Sequence, residues 1–236
     1  MIFKKFFPNK VLSLNSSTIN SLVALLIIVV IIGTVYALFI SPPDYIQGDS
    51  VRIMYVHVPS SFISLSCFGI MGIASICNLI FKIKFMPFLA KSLATLGCVF
   101  TLISIVTGSL WGKPTWGTWW VWDARLTSMM VLMFFYISYI LCFKFIKKEQ
   151  LMLKVSSLIA ILGAINLPII KYSVDWWTTL HQPASIKLGV SNSIHSTMML
   201  PLLSMLLVLV LYGALIFLMK YKTEIIRIKK KSIKRL

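Results

Sequence analysis

The sequence predicts an all-α integral membrane protein of six transmembrane helices, forming a single domain over residues 1–236. Three observations carry that prediction. The first is composition: 58% of the residues are hydrophobic and 12% charged, whereas a soluble domain carries about 25% charged residues. The mean hydropathy of +0.91 agrees. The second is segmentation into six apolar runs, each near the ~20 residues that cross about 30 Å of hydrocarbon as a helix. The third is the placement of the basic residues, which falls heavily on one side of those runs.

Residues 1–20 form a short polar start with Lys4, Lys5 and Lys10, and Ser21 to Ile40 is unbroken apolar sequence. A basic start before an apolar stretch resembles a signal peptide. The run is long for an h-region, however, and no small-x-small cleavage site follows, so it reads as a retained first helix. The remaining spans are Ser60–Phe81, Phe88–Leu110, Thr127–Phe145, Leu151–Ile170 and Met198–Met219. Continuous apolarity without period-two alternation selects helices over a barrel.

Six spans place both termini on one side. Lys and Arg number three in the N-terminal segment, three in 82–91, four in 144–154 and eight from Lys220 onward, 18 in all. The other side holds five: Arg52, Lys113, Arg125, Lys171 and Lys187. Basic residues collect in cytoplasmic loops, so both termini are expected in the cytoplasm. The net charge of +17 is thereby a topological signal and a contact for the anionic lipid bilayer rather than for nucleic acid. The outer segments 41–59, 111–126 and 171–197 contain all three histidines, all seven tryptophans and four of the six acids. Four cysteines lie inside apolar runs without a CxxC or CxxCH pattern, which excludes a thioredoxin-like redox pair and covalent c-type haem attachment.

Five tryptophans fall between Trp111 and Asp123, in WGKPTWGTWWVWD. Trp favours membrane interfaces, but this density exceeds an anchoring belt and suggests an aromatic surface for something flat, lying in an outer loop between the third and fourth helices. His57, in YVHVPSS, is expected just before the second helix, with Pro59 in its first turn. His181 closes DWWTTLHQP in a long outer loop. Each histidine alone reads more readily as a hydrogen-bonded structural residue than as a ligand. Together, flanking a Trp-rich segment on one side of the membrane, they suit a planar ring with axial imidazole ligands. Arg125 can grip a carboxylate bidentately or merely fix the loop with Asp123. Asp123 is expected to hold loop geometry or indole N–H groups. His195, without aromatic company, reads as structural.

The segment 111–125 resembles the tryptophan-rich WWD signature of the haem-handling membrane proteins of cytochrome c maturation. The likeness extends through WDARLT, His57, the WWTTLHQP stretch at 176–183 and the six-helix layout. Over essentially the whole chain, length and topology resemble the haem exporter protein C (CcmC/HelC) branch. The resemblance implies haem held on the periplasmic face of the bacterial inner membrane, bound transiently as a non-covalent b-type complex. His57 and His181 would be the axial ligands, with Trp116, Trp119, Trp120, Trp122, Asp123 and Arg125 around the ring. It also implies delivery to the haem chaperone CcmE, with the small membrane protein CcmD and the ABC transporter subunits CcmA and CcmB as further partners, and no enzymatic reaction.

Two other classes remain open from the residues. A permease exporting haem or another solute needs a polar path through the membrane, for which Lys91 and Asn166 are the candidates, both near span ends. A bis-histidine membrane cytochrome b usually places its ligands inside helices, facing each other across the bundle.

Overall fold

The computed structural model describes residues 11–83, 85–181 and 194–233, with side chains described through residue 230. Lys4, Lys5, Lys10, Lys84, Lys187, Lys234, Arg235 and the Gln182-Pro183 end of the histidine motif lie outside the described residues. The described chain is helical, and six helices are long and apolar enough to cross a membrane. They are α1 (Ser16–Val35), α2 (Met54–Phe81), α3 (Met86–Trp116), α4 (Ala124–Phe145), α5 (Glu149–Trp176) and α6 (Ser196–Ile233). A π-helical turn, Tyr36–Ile40, prolongs α1, and a 3-10 turn, Asp49–Ile53, leads into α2.

The helices cover the apolar runs, but five ends run further by five residues or more, the first being that of α1, which starts at Ser16 rather than Ser21. α2 begins at Met54 rather than near Ser60, so His57 lies within its first turns and Pro59 inside the helix. α3 continues to Trp116, six residues beyond Leu110. The Trp-rich segment is therefore a loop only from Gly117 to Asp123, and Trp111 and Trp116 are helical. α5 runs to Trp176, which shortens the outer loop expected from 171, and α6 passes Met219 to reach Ile233. The 31 residues of α3 span roughly 46 Å at about 1.5 Å each, against about 30 Å of hydrocarbon.

Packing centres on α2, which lies against α3, α5 and α6, while α4 bridges α3 and α5. Phe68, Met71, Phe100, Leu132, Tyr136 and Ala160 form the buried middle. Because lipid tails are as apolar as these side chains, close approach and interhelical hydrogen bonds have to supply the adhesion. Tyr136 OH donates to Ser64 O at 2.7 Å, Ser64 and Thr101 hydroxyls meet at 2.6 Å, and Asn166 Nδ2 donates to Ser128 O at 2.8 Å. α1 packs chiefly on α6 and turns Ile27, Ile28 and Ile31 outward. At the end where the basic residues gather, Lys91 Nζ meets Glu224 Oε1 at 2.7 Å, joining α3 to α6. Both candidates for a polar membrane path, Lys91 and Asn166, are thus bound to partners inside the bundle.

Candidate functional site

At the opposite end of the bundle, α2, α3, the start of α4 and the segment after α5 enclose one cavity. Its lining includes His57, Trp111, Trp116, Trp120, Arg125 and His181. The structure thus brings both paired histidines, two of the four assigned tryptophans and the arginine to one place. Trp119 and Trp122 are outside the lining, 53% and 73% exposed.

His57 is fixed by the neighbouring face of α3. Ser104, Thr107, Gly108 and Trp111 recur at i, i+3, i+4 and i+7, so they lie on one stripe of that helix. The His57 Nδ1 is 3.0 Å from Ser104 O and 3.1 Å from Thr107 Oγ1. A carbonyl only accepts, so Nδ1 carries the N–H, and in the neutral ring Nε2 keeps its lone pair. The Thr107 hydroxyl donates to Ile103 O at 2.6 Å, which leaves its oxygen free to accept. The backbone of His57 is tied in as well: Ser61 Oγ donates to His57 O at 2.9 Å and meets Ser104 Oγ at 2.5 Å. Gly108 makes the fit possible, since a Cβ there would stand 2.9 Å from His57 Cε1. On the ring's other flank Trp111 lies edge-on, centroids 5.9 Å apart, its Nε1 donating to Gln47 Oε1 at 2.8 Å.

The aromatic segment owes its shape to two caps. Gly117, at φ 78°, ends α3 in the left-handed region where glycine has no Cβ penalty, and its N–H returns to Lys113 O at 3.1 Å. Asp123 then starts α4, its Oδ1 accepting from Leu126 N at 2.8 Å. Between them Ser109 Oγ donates to Trp119 O at 2.7 Å, and the Trp120 and Trp122 rings meet edge-to-face at 5.6 Å. The Trp120 indole Nε1 is buried with no hydrogen-bond partner among the described residues. Such an N–H costs about 1–3 kcal/mol unless something accepts it.

His181 reaches the cavity through Asp123. Thr179 Oγ1 donates to Asp123 Oδ2 and accepts from His181 N at 3.1 Å. One carboxylate thus caps α4 and anchors the histidine-bearing segment. The His181 ring lies 5.9 Å from Trp116 and 6.3 Å from His57, centroid to centroid, tilted 36° from the latter. Arg125 Nη1 stands 3.1 Å from His181 Nδ1. His195 is exposed at the start of α6, where its Nδ1 accepts from Thr197 N at 3.4 Å.

Sequence reasoning missed Gln47, Ser104, Thr107 and Gly108, and quoted Trp111 without assigning it. The signal for three of them was present: small polar residues at helical spacing near the outer end of an otherwise apolar span.

Comparison with known proteins gives this geometry a family. The profile described as Heme exporter protein C matches residues 2–235. The chain is 38% identical to a Heme exporter protein C of Bradyrhizobium diazoefficiens over 226 residues, 96% of this chain and 86% of that protein. It is 38% identical to the Escherichia coli K12 protein of the same name over 205 residues, covering 87% and 82%. It is also 43% identical over 166 residues, 70% of each, to a putative cytochrome c biosynthesis ccmC-like mitochondrial protein of Marchantia polymorpha. The chain belongs to the Heme exporter protein C family.

Proposed function

We propose that this protein binds haem at the tryptophan-walled cavity and delivers it for cytochrome c biogenesis, with His57 and His181 as the axial pair. The observation that carries the reading is the spacing of those two rings. A ligating imidazole nitrogen sits about 2 Å from a first-row metal ion, and ring bond lengths put it roughly 1.1 Å from the ring centroid. Two imidazoles on opposite sides of one iron therefore have centroids about 6.2 Å apart, against 6.3 Å for His57 and His181. Trp111, Trp116 and Trp120 supply the flat apolar walls, and the buried Trp120 N–H and Arg125 supply donors for the polar edge of the ring. Haem here is cargo: a non-covalent b-type complex held transiently.

The remaining roles follow from this reading and the family. The cavity faces the periplasm, both termini lie in the cytoplasm, and the membrane is the bacterial inner membrane. The recipient is the chaperone CcmE, with CcmD, CcmA and CcmB as accompanying components, and the chain acts as a handling protein rather than an enzyme. The permease reading loses support because Lys91 and Asn166 bond within the bundle. A membrane cytochrome b loses support because His181 lies beyond the end of α5 rather than inside a helix facing His57 across the bundle.

The test is the optical spectrum and pyridine haemochrome of detergent-purified protein, for wild type and for His57→Ala, His181→Ala and His195→Ala. Six-coordinate haem is expected in wild type and in His195→Ala, and lost in the other two. Unchanged six-coordinate haem in both His57→Ala and His181→Ala would overturn the axial assignment.

A further inference from the structure

The two imidazoles are held in opposite tautomers, and the difference lies in what holds them. His57 Nδ1 faces Ser104 O at 3.0 Å, a main-chain carbonyl in mid-helix that has nowhere to go. His181 Nδ1 faces Arg125 Nη1 at 3.1 Å. A guanidinium has donors and no lone pair, so here Nδ1 accepts. The single N–H of the neutral His181 ring then sits on Nε2, and that nitrogen has no lone pair for a metal. His57 is poised to ligate through Nε2; His181 is held in the form that cannot.

We propose that Arg125 is a latch shared between His181 and a carboxylate of the incoming ligand. The idea rests on the axial-pair reading above and deepens it. A guanidinium binds a carboxylate through two charge-assisted hydrogen bonds, stronger than one bond to a neutral imidazole. A ligand carboxylate therefore draws Arg125 off His181. Once Nδ1 is released, the ring loses its Nε2 proton to water and takes one from water at Nδ1. No net proton is exchanged, and Nε2 gains its lone pair. The His181 backbone does not depend on the latch, because Thr179 ties it to Asp123. Arg125 is a positioning residue in this scheme.

The consequence is selectivity. His57 accepts any ferric porphyrin that fits the tryptophan walls, whereas His181 joins only when the ring carries a carboxylate able to reach Arg125. A reader of metal alone becomes a reader of metal plus acid edge. The coupling also runs backward, since whatever draws the carboxylate from Arg125 returns the guanidinium to His181 and loosens the second axial bond.

The experiment uses the haem-free full-length protein in detergent, wild type and Arg125→Leu, loaded with ferric haem or with its dimethyl ester. Visible and EPR spectra read the spin state. Wild type is expected to give low-spin, six-coordinate haem, but high-spin, His57-only ligation with the ester. Arg125→Leu is expected to give low-spin spectra with both. Low-spin ester in wild type overturns the latch while leaving the axial pair intact. High-spin spectra with both ligands in Arg125→Leu also overturn it and leave Arg125 a plain anchor. High-spin haem in wild type overturns the axial pair itself. Nitrogen-15 NMR of the haem-free wild type adds a readout independent of loading and of any variant. His181 Nδ1 should resonate as an unprotonated nitrogen and His57 Nδ1 as a protonated one; a protonated His181 Nδ1 rules the latch out.

Discussion

Gly108→Ala tests how His57 is held, without altering either of the proposed axial ligands. The new Cβ would stand 2.9 Å from His57 Cε1 and 3.4 Å from Nδ1, where ordinary contact begins at 3.4 Å. The ring must therefore retreat by about 0.5 Å. That motion stretches the 3.0 Å contact between Nδ1 and Ser104 O to about 3.5 Å, the edge of hydrogen bonding. Losing one such bond costs about 1 kcal/mol, and residual crowding adds up to a similar amount. Haem affinity should fall roughly 5- to 30-fold, read as the Kd from a Soret titration and as faster loss to an apoglobin acceptor. Gly69→Ala is the control, because its Cβ would meet Leu167 Cδ1 at an unstrained 3.6 Å. Equal haem affinity in Gly108→Ala and Gly69→Ala, with both variants folded, would refute the argument that α3 positions the ligand.

Other expectations come from the same geometry. Asp123→Ala removes the cap on Leu126 N and the tie to Thr179; thermal unfolding in detergent should drop by about 1–2 kcal/mol and the six-coordinate fraction should fall with it. Gly97→Ala drives a Cβ to 2.0 Å from Tyr136 OH, and overpacking of that size should cost about 3 kcal/mol or prevent folding. Glu224→Ala leaves Lys91 without its carboxylate, whereas Lys91→Ala leaves Glu224 facing Arg227 Nη1 at 4.0 Å; the first should therefore be the more destabilising, and the double variant should be more stable than the sum of the singles predicts, by about 1 kcal/mol in a thermal cycle. Trp116→Ala should weaken haem about tenfold, whereas Trp122→Ala, 73% exposed and outside the cavity lining, should change the Kd less than about twofold.

The fold was legible because six apolar runs of bilayer length leave few alternatives, but hydropathy reports the solvent around a helix, not the helix itself. At Leu110 the sequence turns polar and aromatic and meets Gly112 and Pro114, which read as breakers. The helix nevertheless continues, because Thr115 Oγ1 donates to Trp111 O at 2.7 Å and Lys113 Nζ to Gly117 O at 3.0 Å. At the helix end Gly117 N–H closes on Lys113 O at 3.1 Å, pairing one of the carbonyls that a last turn leaves without a partner. His57 was displaced from a loop to a helix for a related reason: the 3-10 turn Asp49–Ile53 starts the helical path before the apolar run does. In the site, residue types could be read directly, since histidine, tryptophan and arginine announce their chemistry. The partners could not. The groups that orient His57 lie 47 and 50 positions away, and Gln47 lies 64 from Trp111, separations at which only the packing of α2 on α3 says who meets whom.

That packing also explains why His57 and His181, the axial pair proposed above, should differ in character. His57 is held on two packed helices by side chain, backbone and an abutting glycine. His181 lies beyond the end of α5, tied through Thr179 to Asp123, with its ring meeting Arg125. A protein that only stored haem would gain from making both ligands rigid, because differences in affinity appear mostly as slower release. A delivery protein needs the opposite. If forming the second axial bond is worth about 3 kcal/mol, losing it speeds release roughly 150-fold, and confining that loss to the softer ligand lets capture and release be set separately. On the proposed reading, rigid capture by His57 and conditional closure by His181 would form one design, in which the weaker second bond would make transfer feasible.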